Sequence, residues 1–208
     1  MGYSGKSSLL LALLKMLHPT EGSITIDGIQ IESLTPNIVR RRLNAIPQDP
    51  MVQPQSSVRV NVDPFGTLPA STLLAALDKV GLGDIVRGQD SGLDAPLEDL
   101  SLTSGQTKLL GLTRALLWKE VSGARSGILL LDEATAGMDE RLEALVMRIV
   151  REEFQNFTVV AVAHRIGSIR DFQRVIVMDA GSVAEVGDAK SFLESSAPTI
   201  AGLEDDGE

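Results

Sequence analysis

Residues 127–139 read Gly127-Ile-Leu-Leu-Leu-Asp132-Glu133-Ala-Thr-Ala-Gly-Met-Asp139. Four consecutive aliphatic residues, with no polar alternation, form the pattern of a strand covered on both faces of a parallel sheet. The run leads directly into two carboxylates. In open α/β sheets, ligands bind beyond the carboxyl ends of the strands. Asp132 is therefore placed to hold a Mg2+-bound water, and Glu133 to orient and deprotonate an attacking water. Taken alone, the same stretch also fits a strand followed by an acidic helix start.

On its C-terminal side, Glu140–Phe154 has helical periodicity and leads to a second apolar run, Thr158–Ala163. Two such strands joined by a helical crossover form a parallel unit. His164 follows the second strand directly, where it can hydrogen-bond a terminal phosphate or simply pack. Arg174–Met178 and Val183–Val186 flank Asp179-Ala-Gly-Ser182, the pattern of a final hairpin, and the tail LEDDGE is predicted to be disordered.

On its N-terminal side, Leu43–Ile46 reads as a strand ending at Pro47, with Gln48 just past its end as an uncharged ligand for Mg2+ or water. Ser23–Ile31 alternates like a strand pair around an Asp27-Gly28 turn, and Pro36 opens a short helix. From Asp49 to about Trp118 the texture changes to Pro- and Ser-rich loops, with helices expected around Thr72–Val80 and Gln106–Trp118. This stretch reads as a helical insertion. Leu9–Leu17 fits a buried helix, with Pro19 just beyond its end.

That first helix is preceded by Gly5-Lys6-Ser7, the end of the phosphate-loop pattern G-x-x-x-x-G-K-[ST]. In such loops, backbone N–H groups cradle phosphates, the lysine reaches the outer ones and the hydroxyl binds Mg2+. The first glycine of the pattern would fall before Met1.

Composition narrows the functional classes. The chain has 208 residues, 43% of them hydrophobic, and a formal charge of −9, which argues against a general grip on nucleic acid. Arg40-Arg41-Arg42 reads as a solvated helix end. With no cysteine, disulfides, thiol nucleophiles and thiolate metal sites are excluded, and two histidines are too few for a histidine-rich metal site. No apolar run reaches the ~18 residues needed to span a bilayer. Leu9–Leu14 is too short for a signal peptide, Lys15 interrupts it, and no cleavage pattern follows.

In order, the chain carries GKSS, IPQDP, LTSGQ, ILLLDEATAGMD and AVAHR. Together these motifs, spread along essentially the whole chain, resemble the nucleotide-binding domain of an ATP-binding cassette (ABC) transporter. Val58-Arg-Val-Asn-Val-Asp-Pro-Phe65 resembles the NLDPF segment of subfamily C exporters, the multidrug-resistance-associated type. The glutamate at position 133 is similar to that of the second of their two cassettes. The resemblance implies a P-loop NTPase (RecA-like) parallel-sheet core, with an inserted α-helical subdomain and a C-terminal β-hairpin. It sets the core at 1–48 and 122–203, the helical subdomain at 49–121 and an acidic tail at 204–208.

The resemblance also implies a set of roles. Ser4, Gly5, Lys6, Ser7, Ser8 and Gln48 would bind ATP, with Lys6 on its outer phosphates. Ser7, Gln48 and Asp132 would hold Mg2+, with Glu133 as catalytic base and His164 on the γ-phosphate. Asp139 would communicate across a head-to-tail dimer of cassettes. In that dimer Thr103, Ser104, Gly105 and Gln106 serve the partner's nucleotide. Partners would be a second cassette and transmembrane domains, normally in one polypeptide. The cassette would lie on the cytoplasmic side of a membrane, without entering the bilayer or binding nucleic acid. This chain alone would be soluble.

Four departures qualify the resemblance. Thr103 stands where the family signature has Ser, and its added methyl would crowd a phosphate. Tyr3 stands where Gly is common, at a position needing φ > 0 or close phosphate approach. The first loop glycine is missing, as are the upstream strand and the adenine-stacking aromatic. MGYSGKSS thus reads as a phosphate loop without its front, and the polypeptide alone is expected to bind Mg·ATP weakly and hydrolyse it poorly. Two alternatives stay open, a soluble ABC ATPase outside transport and an inactive fragment. Gln48 and Gly105 lie 57 positions apart, which leaves no room for the coiled-coil insertion of the chromosome-associated type.

Overall fold

The structure is a computed structural model that describes residues 5–163, 169–170 and 172–200, without the side chains of 195–200. In chain order its elements are α1 (Lys6–Leu13), β1 (Thr25–Ile26), β2 (Ile29–Gln30), α2 (Pro36–Arg40), β3 (Leu43–Ile46), α3 (Val58–Val62), α4 (Ala70–Lys79), α5 (Gly83–Arg87), α6 (Ser104–Ser122), β4 (Gly127–Asp132), α7 (Glu140–Glu153), β5 (Phe157–Val162), β6 (Arg174–Asp179), β7 (Ser182–Asp188) and α8 (Ala189–Ile200). Contacts divide the chain into two compact units, residues 33–161, and residues 1–32 with 162–208.

In the larger unit, β3, β4 and β5 form a sheet in that order, with β4 in the middle. The β3–β4 pairing is parallel, from Leu43 opposite Ile128 to Ile46 opposite Leu131. Leu129, Leu130 and Leu131 are all buried, as their unbroken apolar run predicts for a strand covered on both faces. Between β3 and β4 the chain makes the expected helical excursion. Leu73 and Leu77 of α4, one turn apart, join Leu109, Leu110, Leu112 and Leu116 of α6 in a single core with Leu129 and Leu131. Each fully buried leucine contributes roughly 1.5–3 kcal/mol. On α7, Val146, Ile149 and Val150 line the buried face, the i, i+3, i+4 stripe of an amphipathic crossover helix.

α6 runs further at both ends than its apolar periodicity predicts, because of its caps. Thr103 starts α6 and Gly123, at φ 60°, ends it. Left-handed backbone at that C-terminal position favours glycine, which has no Cβ to clash. The stretch Val58–Val62 alternates like a strand, yet it forms α3. Ser57 caps it by accepting the N–H of Val60, and Val58, Asn61 and Val62 become its buried side. Capping by the serine hydroxyl overrides a weak strand propensity.

At the C-terminal ends of α6 and α7, Glu153 accepts from Lys79 at 2.5 Å and from Lys119 at 3.3 Å. Lys119 also donates to the Glu153 carbonyl and lies 5.5 Å from the centre of the Phe154 ring. Phe154 meets Phe157 edge to face at 5.2 Å, the arrangement favoured by aromatic quadrupoles. Arg40, Arg41 and Arg42 are exposed, as read from the sequence.

In the smaller unit, β1 and β2 pair around Asp27 and Gly28, at φ 50° and 79°, the two left-handed residues of a type I′ turn. β6 and β7 pair around Ala180 and Gly181 in the same way, with an irregularity between Val177 and Met178. The Asp188 carboxylate accepts the N–H of Lys190 at 2.9 Å and so starts α8. The expectation of a buried first helix is not met. α1 ends at Leu13, and among its residues only Leu10 is buried. Leu9, Leu11, Met16 and Leu17 are exposed. Lys15, at φ 53°, turns the chain away and donates to the carbonyls of Ile31 and Glu32 at 3.0 and 3.2 Å.

Candidate functional site

Because β3 and β4 run parallel with Ile46 opposite Leu131, both strands finish on one sheet edge. Gln48 lies two residues beyond Ile46 and Glu133 two beyond Leu131. Register therefore brings Gln48 and the Asp132–Glu133 pair to the same edge, with Gln48 exposed and both carboxylates half-buried. Glu133 has φ 49°. A left-handed glutamate costs on the order of 1 kcal/mol or more, and such outliers persist where the surroundings hold them. Here the turn is closed by the N–H of Ala136 donating to the Glu133 carbonyl at 2.9 Å, and by Met138 donating to Thr135 at 3.1 Å. Asp139 ends this turn and caps α7, its carboxylate accepting the N–H of Leu142 at 2.9 Å.

The LTSGQ stretch lies at the N-terminus of α6 rather than wholly before it. Thr103 is the cap, while Ser104, Gly105 and Gln106 form the first turn. The Thr103 hydroxyl accepts the N–H of Gln106 at 3.2 Å, and the Gln106 side chain accepts the N–H of Thr103 at 2.9 Å. This reciprocal box satisfies two otherwise unpaired donors at the helix start. Thr103 and Ser104 are exposed. A Cβ on Gly105 would come within 2.7 Å of Leu142 Cδ2 and 3.9 Å of Met138 Cγ. Glycine there lets the start of α6 lie against the start of α7, bringing the LTSGQ turn beside the turn that ends in Asp139.

In the smaller unit, Gly5 is the N-cap of α1 at φ 85°. A Cβ there would lie 3.3 Å from both the Gly181 Cα and the Met178 Cε, so the left-handed backbone favours glycine and the tight approach adds to that preference. Lys6 and Ser7 open the helix, with Lys6 half-buried and Ser7 and Ser8 exposed. Ser4 and His164 lie outside the described residues, as does Tyr3.

Several site-supporting contacts have no signature in the sequence. Lys108, with 11% of its side chain exposed, donates to the Ala136 carbonyl at 2.7 Å and lies 3.6 Å from Asp49 Oδ1. Its only trace in the sequence is a lone cation early in the apolar run of α6. Asn44, buried on β3, donates to the Ala115 carbonyl at 3.0 Å. Arg114 donates to the Asn61 carbonyl at 2.6 Å, and burial pushes its guanidinium below its ordinary range. Asn61 in turn holds the loop after Gln48, accepting the N–H of Gln53 at 2.8 Å and donating to the Gln53 carbonyl at 2.9 Å. In the Asp63-Pro64-Phe65 segment, the buried Asp63 carboxylate accepts the N–H of Leu68 at 2.8 Å.

Among the described residues no cluster of three or more His, Cys, Asp or Glu could hold a metal by itself. Of the residues expected for Mg2+, Gln48 and Asp132 share the sheet edge of the larger unit and Ser7 opens α1 in the smaller one, and each offers a hard oxygen. One carboxylate with neutral oxygens fits Mg2+, which keeps several waters and takes its remaining ligands from substrate phosphates.

Residues 3–136 match the family model described as "ABC transporter". Among curated proteins, the chain is 41% identical over 193 residues to "ABC transporter C family member 5" of Arabidopsis thaliana, covering 92% of this chain and 12% of that protein. It is 36% identical over 193 residues to "ABC multidrug transporter B" of Aspergillus fumigatus, covering 92% and 13%. The chain thus spans about an eighth of the length of the curated relatives it matches. Among solved structures, a bacterial Atm1-family ABC exporter with ATP bound superposes with a TM-score of 0.83 at 26% identity, covering 99% of this chain and 36% of that one.

Proposed function

The chain belongs to the ABC transporter family, and from that premise we propose that it is the ATP-hydrolysing cassette of a membrane exporter of the subfamily C type. The observation that carries the reading is the shared sheet edge. Parallel register brings Gln48 to the same sheet edge as Asp132 and Glu133, and Glu133 has left-handed backbone. Domains of this family are ATPases, which supports the reading.

In this reading Lys6 neutralises the outer phosphates, and the first-turn N–H groups of α1 face them at the positive end of a helix. Glu133 accepts a proton from water as its oxygen attacks the γ-phosphorus in line. The bond from that phosphorus to the β–γ bridging oxygen breaks, leaving ADP and inorganic phosphate. Bound Mg2+ supplies charge neutralisation at the phosphates; Ser7, Gln48 and Asp132 are the residues that would hold it. His164 would contact the γ-phosphate. Thr103, Ser104, Gly105 and Gln106 are exposed or half-exposed at a helix N-terminus, and so suited to another molecule's phosphates. They would serve the nucleotide of a second, head-to-tail cassette, with Asp139 beside that boundary.

Export and the membrane domains belong to the proposal as well. No described helix is long and apolar enough to cross a membrane, so translocation would be done by helices supplied elsewhere, with this cassette on the cytoplasmic side. Selectivity for the cargo would lie in those helices. The test is Mg2+-dependent phosphate release by the full-length protein, wild type against Lys6→Ala. The reading expects release that stops on chelation and falls at least a hundredfold in the variant. Release unaffected by chelation or by Lys6→Ala would overturn it.

A further inference from the structure

We propose that Lys108 is a positioning residue for Glu133, gripping the turn that holds this carboxylate and tying it to the signature helix and to the loop after Gln48. The inference rests on the reading of Glu133 as the base, and goes beyond it by naming what fixes that base in place.

The geometry is a pair of hydrogen bonds made by the backbone of one residue, Ala136, whose N–H and C=O belong to successive peptide groups. The N–H of Ala136 donates to the Glu133 carbonyl at 2.9 Å. The carbonyl of the same residue accepts from the Lys108 ammonium at 2.7 Å. The turn is thus closed on one side by its own backbone and on the other by a side chain from α6. That second contact matters because Glu133 sits at φ 49°, a conformation that relaxes unless the neighbouring backbone is held. Lys108 is suited to the task. An ammonium offers three donors around one point charge, and this one also meets Asp49, the residue after Gln48, at 3.6 Å. With only 11% of its side chain exposed, the cation is drawn away from water and depends on these oxygens for solvation.

The same residue lies two positions after Gln106. A displacement of α6 therefore reaches the Glu133 turn through Lys108 as well as through the Gly105 contact with Leu142 and Met138. Leu109, Leu110 and Leu112 are buried in the core beside it, so the stem of Lys108 is carried on a rigid helix. A base held by a turn needs that turn fixed to well under 1 Å, since misplacement of that size costs on the order of a hundredfold in rate.

The experiment compares wild type, Lys108→Met and Lys108→Arg in the full-length protein by two readouts. The first is amide hydrogen exchange without nucleotide. The inference expects exchange across 134–139 about tenfold faster in Lys108→Met, unchanged exchange in β4 and α4, and recovery of most of the protection in Lys108→Arg. The second is steady-state ATP hydrolysis, where kcat falls about tenfold while KM stays within twofold. In a Glu133→Gln background the same substitution causes no further loss, because Lys108 acts through Glu133. Should the apolar variant unfold, Lys108→Gln, which keeps a donor at shorter reach, carries the same comparison. Unchanged exchange at 134–139 overturns the inference whether or not the protein hydrolyses ATP, and so does a loosened turn with unchanged kcat. Absence of hydrolysis in the wild type instead overturns the ATPase reading, while exchange still decides the contact.

Discussion

The hydroxyl of Thr103 and the side-chain amide of Gln106 close on each other's backbone, at 3.2 and 2.9 Å, at the tip of α6. This gives the residue that departs from the family signature a second job, because it starts the helix as well as facing outward. Thr103→Ala should therefore cost about 1 kcal/mol of stability, whereas Thr103→Ser should cost little, because serine caps at least as well. If the methyl group crowds the partner's phosphate, Thr103→Ser also raises turnover. Denaturant unfolding and phosphate release on the same two variants check both halves. A Thr103→Ala protein as stable as wild type would show that the box contributes nothing.

Asn44 is buried on β3 and donates to a carbonyl of α6 that lies 71 positions away. Asn44→Ala should destabilise by about 2 kcal/mol through the lost hydrogen bond and the space left behind. Asn44→Asp should cost more at neutral pH, since an ionised carboxylate would then be buried facing a carbonyl oxygen. Chemical denaturation of the two variants gives the order directly, and an Asn44→Asp chain more stable than Asn44→Ala would contradict it.

Burial pushes the Glu153 carboxyl up, but hydrogen bonds and charge from Lys79 and Lys119 outweigh that and leave it below its ordinary 4.5. A depressed folded value means the stabilisation is present above the unfolded value near 4.5 and is lost as pH falls through the folded one. The difference in melting temperature between wild type and Glu153→Gln should accordingly be largest near neutral pH and shrink on acidification below 4.5. A difference that grew in acid would reverse the sign argued here.

Gly5 has left-handed backbone, and a methyl group there would press on Gly181 and Met178 at 3.3 Å. Gly5→Ala should cost about 1–2 kcal/mol and weaken Mg·ATP binding together. Thermal unfolding with and without nucleotide separates the two losses, because binding adds its own stabilisation by mass action. An unchanged melting temperature with and without nucleotide would contradict the assignment.

What could be read from the sequence was whatever is local or repeated at a short period. The β4 run, the Asp27-Gly28 turn, the helix opened by Pro36 and the stripe on α7 all follow from neighbours within a few positions. The Thr-x-x-Gln spacing at 103–106 is a local cap as well. Contacts that join distant segments left no such trace. Lys108 meets a carbonyl 28 positions on, and Arg114 meets one 53 positions back. A backbone carbonyl carries no residue identity by which a partner could be named. One local reading failed: the apolar run after Ser8 suggests a buried helix, but among the residues of α1 only Leu10 is buried.

The central claim is that Glu133 takes the proton from attacking water, and Glu133→Gln tests it most directly. The amide keeps the side chain's size and hydrogen-bonding reach but cannot act as a base. In the full-length protein, phosphate release should fall by about 10²–10⁴-fold, while Mg·ATP affinity and melting temperature stay close to wild type. Turnover within a few fold of wild type at saturating Mg·ATP would contradict the account.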